Sequence, residues 1–261
     1  MSWTPRQRAM LAEMGIPLWP TSKVQATDAP MSAVMEPPIQ SGAQRPESVV
    51  PVPTVLGHPA SSGVPDVSSM DWSALRLAVA NCQACGLCES RTQTVFGVGH
   101  QQAHWMIVGE APGEQEDRQG EPFVGKSGQL LDNMLRALGL SRSSLDGVDD
   151  PSKQVFIANT LKCRPPGNRN PLPQELTECQ PYLVRQIELV QPKIILAMGR
   201  FAVQSLLRTT DPIGKLRGRV HQFQGVPLIV TYHPAYLLRN LEDKAKAWDD
   251  LCLARIAHEG V

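Results

Sequence analysis

The sequence has no excess of positive charge. Its 25 Lys and Arg residues balance 25 Asp and Glu residues over 261 positions, and residues 71–261 alone carry 21 basic against 20 acidic side chains. This balance excludes the strongly basic coat of a protein that binds nucleic acid through overall charge. It does not exclude a local basic patch, because net charge says nothing about where the charges lie.

Long apolar segments are also missing. The sequence contains no run of 18 apolar residues that could span a bilayer. Residues 1–19 have neither a long apolar stretch nor a small-residue cleavage site, so they do not read as a secretory signal. We therefore expect a cytoplasmic, monomeric protein without a membrane span. In such a protein six cysteines are expected to bind metal rather than to form disulfides.

The first 70 residues lack any regular periodicity over most of their length. They contain eleven of the 23 prolines, and from about residue 20 to 70 neither a helical nor a strand pattern is visible. Such a segment has too few apolar side chains to offset the entropy lost on ordering. We predict a disordered linker at residues 21–70 and one folded domain at residues 71–261.

In residues 71–261, apolar segments of strand length alternate with amphipathic segments of helical spacing. This alternation predicts an α/β fold, a three-layer sandwich in which helices flank a central, mostly parallel four-stranded sheet. Helices are predicted at residues 71–81, from a Ser127 cap to Gly139, and at 173–190, 200–207 and 241–258. Ligands bind such sheets at the carboxyl ends of the strands. Four loops are expected at that edge: residues 109–126, 159–172, 199–200 and 232–240.

Five of the six cysteines are spaced for metal binding. They are Cys82, Cys85, Cys88, Cys163 and Cys179. Four thiolates can hold either zinc or an iron–sulfur cluster, and the spacing alone leaves both open. Cys252 lies among apolar residues of the last predicted helix and is interpreted as a buried free thiol. No G-x-G-x-x-G follows a predicted strand, which argues against a flavin- or nicotinamide-dependent redox protein.

Three polar segments follow predicted strands. They are "GEAPGEQEDRQGEPFVGKSG" at residues 109–128, "NTLKCRPPGNRNPLP" at 159–173 and "HPAYLLRN" at 233–240. The first begins like a phosphate loop, but its acidic residues would repel a phosphate. Together with the cysteine spacing, and in this order over residues 75–258, the segments resemble the family 4 uracil-DNA glycosylases of the uracil-DNA glycosylase superfamily.

The resemblance implies an enzyme that flips uracil out of single- or double-stranded DNA and hydrolyses its N-glycosidic bond. It implies that Phe123 stacks on the base, that Asn159 reads uracil N3–H and O4, and that His233 contacts O2. The turn beside the uracil and the scissile bond is Gly109, Glu110 and Ala111. The residues predicted to be catalytic are Glu110, Glu116 and His233. Negative charge near the bond favours the cationic sugar of the transition state.

The resemblance also implies DNA contacts and a cofactor. Tyr236, Leu237 and Leu238 are predicted to enter the duplex as a wedge, with burial under the last helix as the alternative. Phosphate contacts are predicted for Lys162, Arg164, Arg169 and Arg239. A 4Fe-4S cluster is implied with Cys82, Cys85, Cys163 and Cys179 as ligands, which leaves Cys88 outside the set. Glu114 and Asp117 are expected to lie in solvent.

The sequence departs from the best-known members of the superfamily at two positions. Ala111 stands where they carry a water-activating aspartate, and Gly113 where a tyrosine excludes thymine, so the residue that activates water stays open. Residues 161–180 contain no histidine, which predicts turnover rather than covalent trapping of the sugar. Two other functions are alternatives: a redox carrier and a non-catalytic nucleic-acid-binding protein. The nucleic-acid-binding protein would need none of Phe123, Asn159 and His233.

Residues 6–19 form a separate amphipathic segment with Trp19 at its end. One interpretation is that it folds back onto its own domain. The other is a docking peptide that orders on a partner, with Trp19 as the anchor. Its pattern L-x-x-M-G-I-x-x-W resembles the peptide of the bacterial replicase psi subunit that binds the chi subunit. A replication protein is therefore the predicted partner.

Deleting residues 1–20 tests the docking hypothesis. Because a long linker would separate the peptide from the enzyme, we expect unchanged uracil release from free oligonucleotides and loss of co-purifying replication proteins. Lower thermal stability or activity of the truncated enzyme would show instead that the peptide belongs to the folded domain.

Overall fold

The computed structural model of the protein describes Glu13, residues 66–144 and residues 149–260. The predicted docking peptide lies outside these residues apart from Glu13, and so does the predicted linker apart from residues 66–70. Val67 is 5% exposed and packs in the core, so the folded domain begins a few residues before the predicted boundary at residue 71. Six strands form the sheet: β1 (Val98–Gly99), β2 (Trp105–Gly109), β3 (Val155–Asn159), β4 (Ile194–Met198), β5 (Val220–Phe223) and β6 (Val226–Thr231). The helices over the same residues are α1 (Trp72–Ala80), α2 (Glu114–Gln119), α3 (Lys126–Ala137), α4 (Pro173–Val190), α5 (Arg200–Leu207), α6 (Ile213–Leu216), α7 (Pro234–Leu237) and α8 (Lys244–Glu259). None of these helices is long and apolar enough to cross a membrane.

The sheet confirms the predicted architecture and adds two strands to it. The strand order is β1-β3-β2-β4-β6-β5, and the four central strands run parallel. The edge strands β1 and β5 pair antiparallel with their neighbours. β1 has only two residues and β5 alternates between exposed and half-buried positions. Neither edge strand has the continuous apolar run that marks a buried parallel strand.

Alternate residues of the central strands build the two sides of the sandwich, because successive strand side chains point to opposite faces. On one face Met106, Val108 and their neighbours pack with α1, α4 and α5. On the other face Ile107, Leu196 and their neighbours pack with α3 and α8. The sheet is thus covered on both sides, as the strand sequences predicted.

Several helix boundaries differ from those predicted. α3 begins at Lys126 after Gly125, so Ser127 is a helical residue and not the cap. By contrast, α4 has the predicted bounds, Pro173–Val190, and continues through Pro181 without a break. Tyr182, Leu183 and Ile187 anchor the helix in the core beyond the proline, and this burial outweighs the hydrogen bond that proline removes. A 3-10 turn at Leu241–Asp243 precedes α8.

The expectation that Asp117 lies in solvent is wrong. Asp117 is on α2, is 3% exposed, and accepts hydrogen bonds from the backbone N–H of Thr92 at 2.9 Å and of Gln93 at 3.5 Å. It therefore ties the 92–93 segment to the loop after β2. Glu114, one turn earlier, is exposed as expected and pairs with Arg118. The helix α2 itself was not predicted and turns Asp117 inward.

Candidate active site and cysteine cavity

The site forms where the central strands end. In the parallel register of β2 and β3, Gly109 pairs with Asn159, so the first residue of one loop lies beside the last residue of the neighbouring strand. The backbone continues this pairing, because Thr160 N–H donates to Gly109 O at 3.0 Å and Leu161 N–H donates to Glu110 O at 3.1 Å. The first two predicted segments are thus joined at the carboxyl edge of the sheet.

Gly109 allows two side chains to approach the backbone. A Cβ atom added at this position would overlap Asn159 Oδ1 and would lie 2.6 Å from Cζ of Phe123. Any larger residue would therefore displace the amide, the ring or both. The structure thus brings together Gly109, Phe123 and Asn159, three of the residues predicted to contact the base.

The third predicted segment completes the same site. The His233 ring stacks on the Phe123 ring, with centroids 5.3 Å apart and an interplanar angle of 26°. His233, Phe123 and Asn159 line one open cavity with Glu110 and Ala111. A cavity with an aromatic ring, an amide and an imidazole suits a small planar polar ligand, which the ring can stack on and the polar groups can orient.

The surroundings of His233 determine both its charge and its tautomer. Its Nδ1 accepts from the Ala235 N–H at 3.2 Å. Burial and, secondly, the positive charge of Arg239 lower the pKa of the ring to about 4. The ring is therefore neutral at physiological pH and carries its proton on Nε2, which makes that nitrogen a hydrogen-bond donor.

The two glutamates predicted to be catalytic have different surroundings. Glu110 lines the cavity and is half-buried. Burial raises the pKa of its carboxyl, and the positive charge of Arg200 acts in the opposite direction. Glu116 also lines the cavity, but it accepts hydrogen bonds from Gly113 N–H at 3.1 Å and from Val124 N–H at 3.2 Å. Glu116 thus fastens both ends of the loop that carries Phe123.

The predicted wedge residues do not share one environment. Leu237 is fully buried in the layer formed by α3 and α8. The alternative prediction, burial under the last helix, therefore holds for Leu237. In this conformation its side chain has no exposed surface to contact DNA. Leu238 is 40% exposed and Arg239 is exposed. Tyr236 donates its hydroxyl hydrogen bond to Asp243 at 2.7 Å. Because α7 is helical, neighbouring side chains point in different directions, and the exposed leucine is Leu238.

The predicted phosphate contacts are corrected at Lys162, which is 2% exposed. Its Nζ donates to Asn159 O at 2.7 Å and to Gln186 Oε1 at 2.6 Å, so it supports the base-site strand from inside. The other two cations of that loop reach solvent at least partly. Arg164 donates to Asn168 at 2.7 Å, and Arg169 is exposed and pairs with Glu175.

Several cavity residues were not predicted. Arg200, the exposed first residue of α5, and Tyr232, beside His233, both line the cavity, as do residues 212–214 around the start of α6. The loops 199–200 and 232–240 are predicted at this edge because they follow strands, but the sequence assigns no role to Arg200 or Tyr232 within them. No motif marked residues 212–214, because they reach the cavity only through the packing of α6 against β6.

Five cysteines surround a second, enclosed cavity in the layer of α1 and α4. They are Cys82, Cys85, Cys88, Cys163 and Cys179. Cys88, which had been placed outside the ligand set, thus lines the same cavity as the other four. Cys163 and Cys179 are buried, and burial raises the pKa of their thiols to about 11 and about 12. Cys252 lies on α8 on the opposite side of the sheet.

Polar groups point at the sulfur atoms in this cavity. Arg91 Nη1 donates to Cys163 Sγ at 3.1 Å, and the Lys162 N–H donates to Cys179 Sγ at 3.3 Å. The buried hydroxyl of Tyr182, which also lines the cavity, has no hydrogen-bond partner among the described residues. These donors suit negatively charged sulfur, because a buried donor without an acceptor is costly.

Fold and site together define an α/β protein with two centres at one end of its sheet: a cavity for a planar ring at the carboxyl ends of the parallel strands, and a thiol-lined cavity under the adjoining loop. The model of the uracil DNA glycosylase superfamily matches residues 96–252. The chain belongs to the uracil-DNA glycosylase superfamily, as the motifs predicted.

Curated relatives match a similar part of the chain. A type-4 uracil-DNA glycosylase of Archaeoglobus fulgidus is 42% identical over 168 residues, which cover 61% of this chain and 79% of that protein. The type-4 enzyme of Sulfurisphaera tokodaii is 44% identical over 171 residues, covering 62% and 73%. That of Pyrobaculum aerophilum is 38% identical over 192 residues, covering 70% and 93%.

The protonation of His233 can be measured directly. Because a positive charge on this partly buried ring is unfavourable, its protonated form should be populated only near or below pH 4. We expect ¹⁵N NMR to show the Nε2–H tautomer and no titration of this ring between about pH 5 and 8, whereas histidines of the urea-unfolded chain titrate near about 6.5. A His233 midpoint close to the unfolded value would contradict the assignment.

Proposed function

We propose that this protein excises uracil from DNA by hydrolysing the N-glycosidic bond, as the first step of base excision repair. The observation that carries the proposal is the convergence of Phe123 and Asn159 on Gly109, beside the His233 ring. A flipped base is usually held by stacking on one side and by hydrogen bonds to its edge. The names of the type-4 relatives support uracil as the base.

Base selection is assigned to Asn159. Its side-chain amide can accept a hydrogen bond from uracil N3–H and donate one to O4. Cytosine presents an acceptor and a donor in the opposite order, so its binding would leave buried polar groups unpaired. Lys162 holds the Asn159 carbonyl at 2.7 Å and thereby limits the freedom of the strand end.

His233 is assigned to the departing base. As the glycosidic bond breaks, negative charge builds on uracil O2, and the Nε2–H of the neutral ring can donate to that oxygen. A donor fixed in the site stabilises the developing anion without reorganising during the reaction. Such electrostatic stabilisation is the largest single contribution to catalysis in many enzymes. The Ala235 N–H holds Nδ1 and so keeps the proton on the working nitrogen.

Glu110 and Glu116 are assigned separate parts in the same reaction. Glu110 lines the cavity, and a carboxylate there would stabilise positive charge on the sugar. Burial raises the pKa of this carboxyl, and the positive charge of Arg200 partly offsets that rise. Both oxygens of Glu116 already accept backbone hydrogen bonds, so we assign it to holding the loop in place.

Exposed Leu238 and Arg239, next to the cavity wall, are the proposed DNA contacts in place of Leu237 and Lys162.

A uracil-bearing oligonucleotide tests the proposed function. Incubation with the protein followed by alkali should cleave the strand at the uracil, because abasic sites are labile to base. Asn159→Asp should lower the single-turnover rate on uracil by at least about 100-fold, since a buried hydrogen-bond pattern is broken. The matched control Asn133→Asp lies on α3 outside the cavity, where the side chain accepts from Arg136, and should retain the rate.

Two results would oppose the proposal. Absence of alkali-labile sites with the wild-type protein rejects uracil excision and favours a nucleic-acid-binding protein. Unchanged uracil kinetics in Asn159→Asp removes Asn159 from base reading, even if the enzyme is active.

The thiol-lined cavity is the proposed site of a 4Fe-4S cluster, held by Cys82, Cys85, Cys163 and Cys179. The donor set fits such a group: sulfur ligands, with Arg91 and a backbone N–H donating to sulfur. Within the described residues no group of three His, Cys, Asp or Glu side chains is arranged to hold a single metal ion. The resemblance to the family 4 enzymes favours a cluster over one zinc ion. The cluster would link the segment after α1, which carries Cys82 and Cys85, to Cys163 in the loop after β3 and to Cys179 on α4.

Iron content distinguishes the ligands from the other cysteines. Cys163→Ala and Cys179→Ala should lose the brown colour, the bound iron and solubility together, because a structural metal site contributes directly to folding. Cys252→Ala, on the opposite face of the sheet, should keep all three. We expect Cys88→Ala to keep the iron as well.

The outcomes that contradict this assignment are specific. Loss of iron in Cys88→Ala would mean that a different set of four cysteines is used. A colourless wild-type protein that contains zinc after purification without air would reject the cluster.

A further inference from the structure

The aromatic residue of the proposed base site is held in an unfavourable backbone conformation. Phe123 has φ of +54°, a region that bulky side chains rarely occupy. Its carbonyl oxygen also lies against the backbone of α3, close enough that a Cβ atom added to Gly128 would overlap this oxygen. A residue keeps such a conformation only when its surroundings impose it.

Arg142 supplies hydrogen bonds at this point. Its Nη1 donates to the carbonyl of Pro122 at 3.0 Å, and its Nη2 donates to the carbonyl of Phe123 at 3.1 Å. Two consecutive carbonyl groups are thus held by one planar group. Because the relative orientation of these two carbonyls is set by φ and ψ of Phe123, on either side of its Cα atom, the guanidinium restrains the residue that carries the ring.

The guanidinium is itself held in place from two sides. Asp132 on α3 accepts from Arg142 Nε at 2.8 Å and lies 2.7 Å from Nη2. The preceding residue, Ser141, is bonded to the start of β3: its N–H donates to Lys153 O at 3.0 Å, and Val155 N–H donates to its carbonyl at 2.9 Å. The Arg142 side chain is 18% exposed, so these bonds are largely shielded from water.

We propose that Arg142, held by Asp132, is a positioning residue that sets the Phe123 ring for stacking on the flipped base. Arg142 lines none of the base cavity formed by the described residues, so it acts through Phe123 rather than on the substrate. The inference rests on the proposed function for its kinetic consequence. The underlying geometry, a guanidinium that fixes a strained aromatic residue, does not depend on the substrate.

A double-mutant cycle with Phe123 tests this role, because it isolates the coupling between two residues. Arg142→Ala should lower the single-turnover rate on a uracil oligonucleotide by about tenfold in the wild-type background and by less than about twofold in a Phe123→Ala background. Arg142→Lys should recover only part of the rate, since one ammonium group cannot reproduce the planar fork. The matched control Arg136→Ala, exposed on α3 and bonded to Asn133, should change neither rate.

A second measurement does not require activity. The Phe123 ring stacks on the His233 ring, so its ring current affects the His233 carbon-bound protons. Arg142→Ala should shift these NMR signals, and Arg136→Ala should not.

The outcomes separate this inference from the proposed function. Equal losses of rate in both backgrounds would reveal a general structural role for Arg142 and overturn the inference, as would unchanged rates and unchanged His233 signals. A wild-type protein that releases no uracil but shows the His233 shifts in Arg142→Ala would reject the proposed function and support the positioning role.

Discussion

The close approach of two parallel strand ends at Gly109 and Asn159 is the constraint on which the site depends. Without a side chain at Gly109, the Asn159 amide and the Phe123 ring pack against the same stretch of backbone. Every other group of the base cavity is arranged around this contact: His233 stacks on the ring, and Glu116 fastens the loop that brings the ring in. A site that selects one small base must hold its hydrogen-bonding groups in fixed positions. A mismatched base then leaves buried polar groups unpaired.

Lys162 connects this contact to the cysteine cavity. Its ammonium group holds the carbonyl of Asn159, while its backbone N–H donates to Cys179 Sγ. Its carbonyl accepts from Val95 at 2.8 Å and its ammonium also reaches Gln186, so all its polar groups have partners in the interior. Lys162 therefore contacts both the wall of the thiol-lined cavity and the strand end that carries the Asn159 amide. The packing around the cysteines is thus linked to the geometry of the cavity at the strand ends.

Much of the site was predictable because its residues occur in short contiguous motifs at strand ends. Asn159 and His233 follow apolar strands directly, so the rule for carboxyl ends of parallel strands placed them together. The wrong predictions concern residues whose role depends on the direction in which the side chain points. Lys162 and Leu237 were assigned to DNA from their motifs, yet both point inward. Asp117 is likewise turned inward by the short helix α2, whose only local signals are its helix-forming residues and Glu116 at the third helical position, and Arg142 lies outside every motif.

The sequence alone determined the family, the three-layer sandwich and the identity of the residues at the carboxyl edge, because these depend on local patterns: apolar periodicity, glycine placement and cysteine spacing. The tertiary structure alone decided which polar side chains face the ligand and which face the core. It also decided that Cys88 shares the cavity of the other four cysteines and that Arg200 and residues 212–214 reach the base site. These outcomes depend on the packing of elements distant in the chain, and no local pattern records which way a loop side chain turns when that packing forms.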